Sequence, residues 1–95
     1  MARIVWNKRA KKNFTEIQLY LEKEFGVQSV KKFTKQFFDF LDILEKYPEV
    51  GIIENSESNI RGFVLHKYTT VFYRLVNNKI YLLAIFDNRR MRRKR

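Results

Sequence analysis

A group of cationic and proton-transferring side chains lies in and around the strand-like segments of the C-terminal half. Arg61 lies within one such segment, His66 and Lys67 follow its end, and Arg89 follows the last segment of the chain. Arginine and lysine bind phosphate and carboxylate groups, and histidine can exchange a proton near neutral pH. Because these residues lie near strand ends, the sequence predicts that they could form one anion-binding site.

Metal-free cleavage of RNA is one chemistry that such a site could perform. It needs a base for the 2′-hydroxyl, cations for the pentavalent phosphorane and an acid for the leaving 5′-oxygen. Lysine and arginine can fill all three roles where crowded positive charge lowers a lysine pKa. Strand alternation sets Arg61 and His66 on opposite faces unless the strand bends or bulges. Structural roles are the alternative, with His66 as a partly exposed turn residue and Arg61 as an exposed strand cation.

The sequence lacks the parts of several other kinds of site. It contains no cysteine, and its single histidine disfavours a histidine-based zinc site. Its three glycines, Gly26, Gly51 and Gly62, form neither a phosphate-binding loop nor a dinucleotide fingerprint. We therefore expect neither a metal ion nor a cofactor.

Positive charge dominates the chain, with 20 basic and 10 acidic residues and a formal net charge of +10. Six of the last seven residues, 89–95, are basic, and a second cluster without acidic neighbours begins the chain: Arg3, Lys8, Arg9, Lys11 and Lys12. Cations at the start of a helix oppose its dipole, so local stability does not explain the second cluster. Nucleic acid or an acidic protein segment fits as the partner, although lysine and arginine also keep small domains soluble.

Length and composition predict one soluble domain over residues 1–95, in which residues 90–95 form a basic tail that we expect to be mobile. Hydrophobic residues make up 45% of the chain and include nine Phe, five Tyr and one Trp, which is sufficient for a core. No apolar run reaches the roughly 18–20 residues of a membrane span, and the basic N-terminus lacks the apolar stretch of a signal peptide. Together with the lack of cysteine, this predicts a cytoplasmic protein without a membrane partner.

Apolar spacing predicts two consecutive helices after a short strand at residues 3–6. Asn7 can cap a helix over residues 8–25 that ends at Gly26. The apolar stripe of this helix is Ala10, Phe14, Ile17 and Leu21. A second helix begins at residue 28 or 29 and ends before Pro48. Its stripe is Val30, Phe33, Phe37, Leu41 and Leu44, flanked by Phe40 and Tyr47. The short connection predicts an antiparallel helical hairpin.

The rest of the chain predicts a loop followed by an antiparallel meander. Residues 49–59 contain three acids, no cation and several turn-forming residues, which is typical of a loop. Strands follow at 60–65, 69–76 and 79–86, with turns at 66–68 and at Asn77-Asn78. The nearly continuous apolar run 80–86 indicates a central strand covered on both faces. The predicted fold is α+β, in the order β-α-α-β-β-β, with the helical hairpin packed on a small, mainly antiparallel sheet that the first strand completes.

The order and spacing of several segments resemble the RelE/ParE superfamily of bacterial toxins. The resemblance lies in the turn 47–51, in 60–65 with Arg61, in 67–75, in 78–80 and in 86–90 with Arg89, preceded by Trp6 and the helical pair. It covers nearly the whole chain and implies the same β-α-α-β-β-β arrangement. It also implies the toxic half of a type II toxin–antitoxin module, whose partner is an antitoxin that wraps the toxin, often with an acidic, partly disordered segment.

The resemblance implies two alternative activities. RelE-type members cleave mRNA in the ribosomal A site, whereas ParE-type members are known for poisoning DNA gyrase. Arg61 matches the second-strand arginine common in ParE-like sequences, and Arg89 matches the arginine after the last strand. RelE-type members use lysines on the strands and a tyrosine in a C-terminal extension for cleavage. Here Phe63 and Leu65 occupy the places expected for a pair of lysines at alternating positions, and no tyrosine follows Arg89.

Three hypotheses follow from the sequence. The first is a metal-independent, ribosome-dependent mRNA endoribonuclease, in which Arg61 and Arg89 stabilise the phosphate and Lys67 or His66 acts as the base. The second is a non-enzymatic inhibitor of DNA gyrase with the same fold. The third is a basic nucleic-acid-binding domain whose tail supplies most of the affinity. The crowding of cations near the sheet and in the tail favours the first.

Overall fold

The computed structural model describes residues 2–89 and shows a helical hairpin packed on one face of a five-stranded sheet. The elements are β1 (Arg3–Trp6), α1 (Lys8–Phe25), α2 (Val27–Lys46), β2 (Ile52–Asn55), β3 (Ile60–His66), β4 (Thr69–Val76) and β5 (Lys79–Asp87). The predicted α+β class and the helical hairpin are confirmed. The basic tail at 90–95 lies outside the described residues, so its mobility stays a prediction.

The ends of the two helices follow from their capping residues. The side-chain oxygen of Asn7 accepts the backbone N–H of Ala10 at 2.8 Å, which starts α1. Gly26 adopts a φ of 96° and donates its N–H to the carbonyls of Leu21 and Glu22 at 3.1 and 3.0 Å. The same glycine is the N-cap of α2, so α2 begins at Val27, slightly earlier than the sequence predicts. Within residues 2–89, neither helix combines the length and apolar content needed to cross a membrane.

The core lies between the hairpin and the sheet. Its side chains with no exposed surface are Ala10, Ile17, Phe37, Leu44, Val71, Tyr73, Ile80 and Leu82. Phe40, which the sequence places beside the α2 stripe, is also in the core and stacks on Phe63 with ring centroids 4.5 Å apart. Tyr47, placed beside the same stripe, is 66% exposed. The helix stripes therefore predict the core well, except at their borders.

The strand order is β1-β5-β4-β3-β2. β1 pairs in parallel with β5, and the other pairs are antiparallel. Asn77, at a φ of 55°, forms the tight turn between β4 and β5 that the sequence predicts. At one end of the sheet His66 lies beside Thr69, and Thr69 beside Asp87. This row places the last residues of β3 and β5 next to the first residue of β4.

Two predictions about the strands are wrong. Residues 52–55, expected to be part of a loop, form β2, which pairs with β3, so the element order is β-α-α-β-β-β-β. All four β2 residues are exposed, which explains why the segment lacks the apolar alternation of a half-buried strand. β5 is internal in the sheet but has only one covered face. Ile85 is buried on that face, whereas Phe86 on the other is 44% exposed.

Candidate functional site

Three of the four predicted site residues meet at one corner of the sheet. His66 is the last residue of β3, Lys67 lies in the following turn, and Arg89 comes two residues after the end of β5. The row of strand ends described above brings these segments together. We call the group the corner site, and it consists of His66, Lys67, Tyr68, Asp87 and Arg89.

A buried carboxylate holds Arg89 in place. Arg89 donates from Nε to Asp87 Oδ1 at 3.1 Å and from Nη2 to Oδ2 at 2.8 Å, a bidentate ion pair. The backbone N–H of Arg89 donates to Oδ1 at 2.9 Å, and the Thr69 hydroxyl donates to Oδ2 at 3.3 Å. The Asp87 side chain is fully buried, whereas that of Arg89 is 24% exposed. The hydrogen bond to Asp87 raises the pKa of Arg89, so the guanidinium stays charged.

Two aromatic rings flank the Arg89 guanidinium. Its Cζ lies 4.9 Å from the centre of the Tyr68 ring and 5.8 Å from that of Phe25. Lys67 Nζ also lies 5.1 Å from the centre of the Tyr68 ring. Phe25 is the last residue of α1, so these cation–π contacts join the helix end to the sheet corner. The carboxylate and the rings together fix the orientation of Arg89.

His66 is a neutral side chain at this corner. Burial lowers its pKa below the ordinary 6.5, and the charges of Arg89, Lys67 and Lys32 lower it further, against a smaller opposing effect of Asp87. Nδ1 accepts the backbone N–H of Tyr68 at 3.4 Å, which assigns the proton of the neutral ring to Nε2. His66 therefore offers a hydrogen-bond donor, and it would have to give up the Tyr68 contact to accept a proton at Nδ1.

A cavity of about 140 Å³ lies between the helical hairpin and the corner site. Its polar lining consists of Ser29, Lys32, Gln36, His66, Thr69 and Arg89. Leu21 and Phe33 form the apolar part of the wall. The cavity thus faces an ammonium, a guanidinium and several hydrogen-bond donors, which suits a small anion.

The fourth predicted residue, Arg61, lies outside the corner site. A register shift between Val64 and His66 places Arg61 and His66 on the same face of the sheet, the one that the helices cover. This shift is the bulge that the sequence alone could neither predict nor exclude. The two residues are five positions apart on β3, or about 16 Å. Arg61 Nη1 donates to the backbone carbonyls of Glu49 at 3.0 Å and Gly51 at 2.8 Å. The structure therefore brings His66, Lys67 and Arg89 together and places Arg61 elsewhere.

Arg61 and its neighbour Tyr73 clamp the turn that follows α2. The Tyr73 hydroxyl donates to the carbonyl of Pro48 at 2.8 Å and accepts the N–H of Gly51 at 2.8 Å. A Cβ on Gly51 would lie 2.7 Å from that hydroxyl, so the close approach requires glycine. Burial raises the pKa of Tyr73, which keeps the hydroxyl protonated and able to donate. These contacts give Arg61 a structural function.

Three residues that shape the site were not predicted from the sequence. Asp87 has a local signal, because an aspartate two residues before an arginine can accept that residue's backbone N–H in an Asx turn. Lys32 reaches the cavity only because α2 packs against the sheet, and no sequence spacing relates it to Arg89. Thr69 lies beside Asp87 through the pairing of β4 with β5. Among residues 2–89, no group of three or more His, Asp or Glu side chains could hold a metal ion.

The N-terminal basic cluster does not belong to the corner site. Its members Lys8, Arg9, Lys11 and Lys12 are exposed at the start of α1, whereas Phe25 at the corner ends that helix. The 18 residues of α1 span about 27 Å. Within residues 2–89, the N-terminal basic cluster and the corner site are therefore separate surfaces.

Comparisons with known proteins identify the family. A family model described as the ParE toxin of the type II toxin–antitoxin system parDE matches residues 4–92. A chain of the chromosomal ParDE TA system from P. aeruginosa superposes with a TM-score of 0.75 at 16% identity, over 92% of this chain and 96% of that one. A copper-bound mutant toxin from Helicobacter pylori gives a TM-score of 0.69 at 12% identity, over 96% and 99%. No curated protein sequence matches this chain. The solved structures support the fold, and the family model spans nearly the whole sequence: this chain belongs to the ParE toxin family of type II toxin–antitoxin systems.

Proposed function

We propose that this toxin acts in the cytoplasm by binding DNA gyrase and blocking its reaction cycle, without catalysing a reaction itself. The mRNA-cleavage hypothesis requires two arginines to stabilise the phosphate. The observation that best supports gyrase inhibition is that both of these arginines form hydrogen bonds within the chain. Arg61 and Arg89 lie far apart on the sheet, and each donates to acceptors within the chain. The family match favours the ParE-type activity of the two that the superfamily resemblance implies.

The engagement of the arginines argues against a phosphate-cleaving centre. Stabilising a phosphorane needs several preorganised cations that converge on one point and direct their donors at the substrate. Arg89 uses Nε and Nη2 on Asp87, so the pair is neutral as a unit. Arg61 uses Nη1 on two backbone carbonyls of the turn after α2. Both arginines therefore direct hydrogen-bond donors at groups of the fold, and these donors are not available to a substrate phosphate.

Cleavage of mRNA on the ribosome is the second candidate, and one observation favours it. His66 is neutral and lies near Arg89 and Lys67, which combines the protonation state of a base with an environment that attracts RNA. Against this, the Nδ1 contact with Tyr68 leaves the proton on Nε2, which suits hydrogen-bond donation better than proton abstraction.

The other partner in this proposal is an antitoxin protein with an acidic segment. Membership in a type II toxin family implies an antitoxin partner, and the superfamily resemblance implies that its segment is often acidic. The net charge of +10 would attract an acidic chain and speed its association. The basic surface of the toxin would therefore contribute to recognition of the antitoxin.

Brief induction of the toxin in a bacterial host separates the two candidates. We expect arrested DNA replication and stabilised gyrase–DNA cleavage complexes, while the 5′ ends of mRNA remain unchanged. His66→Gln keeps a hydrogen-bond donor at the corner and should leave growth arrest intact. New mRNA ends that disappear with His66→Gln would instead support the second candidate and remove the first.

A further inference from the structure

The cavity beside the corner site has the lining of a small anion site. It is faced by an ammonium, an imidazole, a guanidinium, two hydroxyls and an amide: Lys32, His66, Arg89, Ser29, Thr69 and Gln36. These groups come from α2 and from three segments of the sheet corner, so only the folded chain brings them together. We propose that this cavity binds one carboxylate, supplied by a glutamate or aspartate side chain of a partner protein.

The charges around the cavity suit a single negative charge. Arg89 and Asp87 form an ion pair, so together they contribute no net charge. His66 is neutral at neutral pH, since burial and its cationic neighbours disfavour its protonated form. Lys32 forms no ion pair within residues 2–89 and supplies the remaining positive charge. A monoanion would therefore neutralise the site, with Lys32 as its main counter-charge.

The start of α2 strengthens this preference. Gly26 caps the helix without a side-chain acceptor, and the first turn contains no acidic residue. The backbone N–H groups of a first helical turn carry partial positive charge and seek acceptors. Ser29 belongs to this turn and lines the cavity, so an oxyanion there would lie near the positive end of the helix dipole.

The size of the cavity favours a side-chain carboxylate over a nucleic-acid phosphate. An apolar cavity of about 150 Å³ holds a benzene molecule, so 140 Å³ leaves room for about six non-hydrogen atoms. The carboxylate end of a glutamate with its methylene stem fits that space, and the stem would contact Leu21 and Phe33. A backbone phosphodiester carries a sugar on each side and could present only its outer oxygens.

A protein partner with acidic side chains is expected for this chain. The proposal rests on the chain being a toxin held by an antitoxin, and it does not depend on whether the toxin's target is gyrase or mRNA. The experiment below measures ligand binding by the isolated toxin. Its failure would therefore leave the gyrase proposal standing, and failure of the gyrase proposal would leave this one standing.

Titration of the toxin with N-acetylglutamate α-amide, followed by NMR, tests the proposal. This probe carries one side-chain carboxylate, and its glutamine analogue is the uncharged control. We expect saturable shifts at the Ser29 amide and the His66 imidazole with the glutamate probe only. Lys32→Gln should weaken binding about tenfold, because it removes a charged hydrogen-bond donor. Lys31→Gln, an exposed neighbour on the same helix, should leave the affinity unchanged.

Three results would overturn the proposal. The first is the lack of any saturable shift at the cavity residues. The second is an equal loss of affinity in Lys31→Gln and Lys32→Gln, which would indicate only general attraction to a basic surface. The third is saturable binding of inorganic phosphate at the same residues without binding of the glutamate probe, which would indicate a phosphate site. The amide spectrum of each variant shows directly whether it is folded.

Discussion

Replacing Arg89 by glutamine should leave the Asp87 carboxylate buried without its counter-charge. That carboxylate is fully buried and accepts two hydrogen bonds from the Arg89 guanidinium, at 2.8 and 3.1 Å. Removing one partner of a buried ion pair costs about 3–5 kcal/mol. The Thr69 hydroxyl and the backbone N–H of residue 89 still reach the carboxylate, and Arg89 is 24% exposed. We therefore expect the lower end, about 3 kcal/mol.

Thermal denaturation at neutral pH measures this loss. For a domain of this size, about 3 kcal/mol corresponds to a fall in Tm of roughly 12–24 °C. Combining Asp87→Asn with Arg89→Gln removes both charges, so the double variant should be more stable than Arg89→Gln alone. Lys35→Gln breaks the exposed Lys35–Asp39 pair and should leave Tm unchanged. A loss below about 1 kcal/mol for Arg89→Gln, the range of exposed ion pairs, would show that the Arg89–Asp87 pair does not stabilise the fold as a buried pair does.

Four further predictions concern the turn clamp and His66. Tyr73→Phe removes two hydrogen bonds and should cost about 1–3 kcal/mol in urea denaturation; an unchanged midpoint would contradict the clamp. Gly51→Ala forces a Cβ against the Tyr73 hydroxyl and should cost about 1–3 kcal/mol in the same assay. NMR titration should give His66 a pKa below 6.5, and Lys32→Gln should raise it, because a neighbouring cation is removed. Folding lowers the pKa of His66, so the unfolded chain binds more protons than the folded chain below pH 6.5. The contribution of His66 to the free energy of unfolding is therefore complete above pH 6.5 and is lost as pH falls through the folded pKa. His66→Gln should remove this part of the pH dependence of stability. The variant keeps the charged groups that act on His66, which are Arg89, Lys67, Lys32 and Asp87.

The helices of this chain could be predicted from the sequence because their signals are local. The apolar stripe and the caps Asn7 and Gly26 give α1 its observed bounds. β2 could not be predicted, because its four residues are exposed and only pairing with β3 defines them as a strand. β5 shows the opposite case, since its apolar run indicates burial on both faces whereas Phe86 remains 44% exposed. The pairing of a strand and the burial of its faces depend on the rest of the fold, so the sequence of one segment does not determine them.

The candidate site was predictable only in part for the same reason. His66, Lys67 and Arg89 follow strand ends, and antiparallel pairing brings such ends together. Arg61 lies outside the site because it is five positions before His66 on β3. Both residues share one face of the sheet because of a register shift that the sequence does not reveal. Its role in holding the turn after α2 depends on contacts with backbone carbonyls, which residue types do not specify. Lys32 enters the site through the packing of α2 on the sheet.

The most direct test of the proposed function is the supercoiling of relaxed plasmid by purified DNA gyrase in the presence of this chain. We expect supercoiling to fall and cleavage complexes to accumulate as toxin is added, and Lys67→Gln and His66→Gln to retain the effect. Adding the antitoxin should restore supercoiling. Undiminished supercoiling at toxin concentrations that cleave mRNA on isolated ribosomes would contradict gyrase inhibition by this toxin.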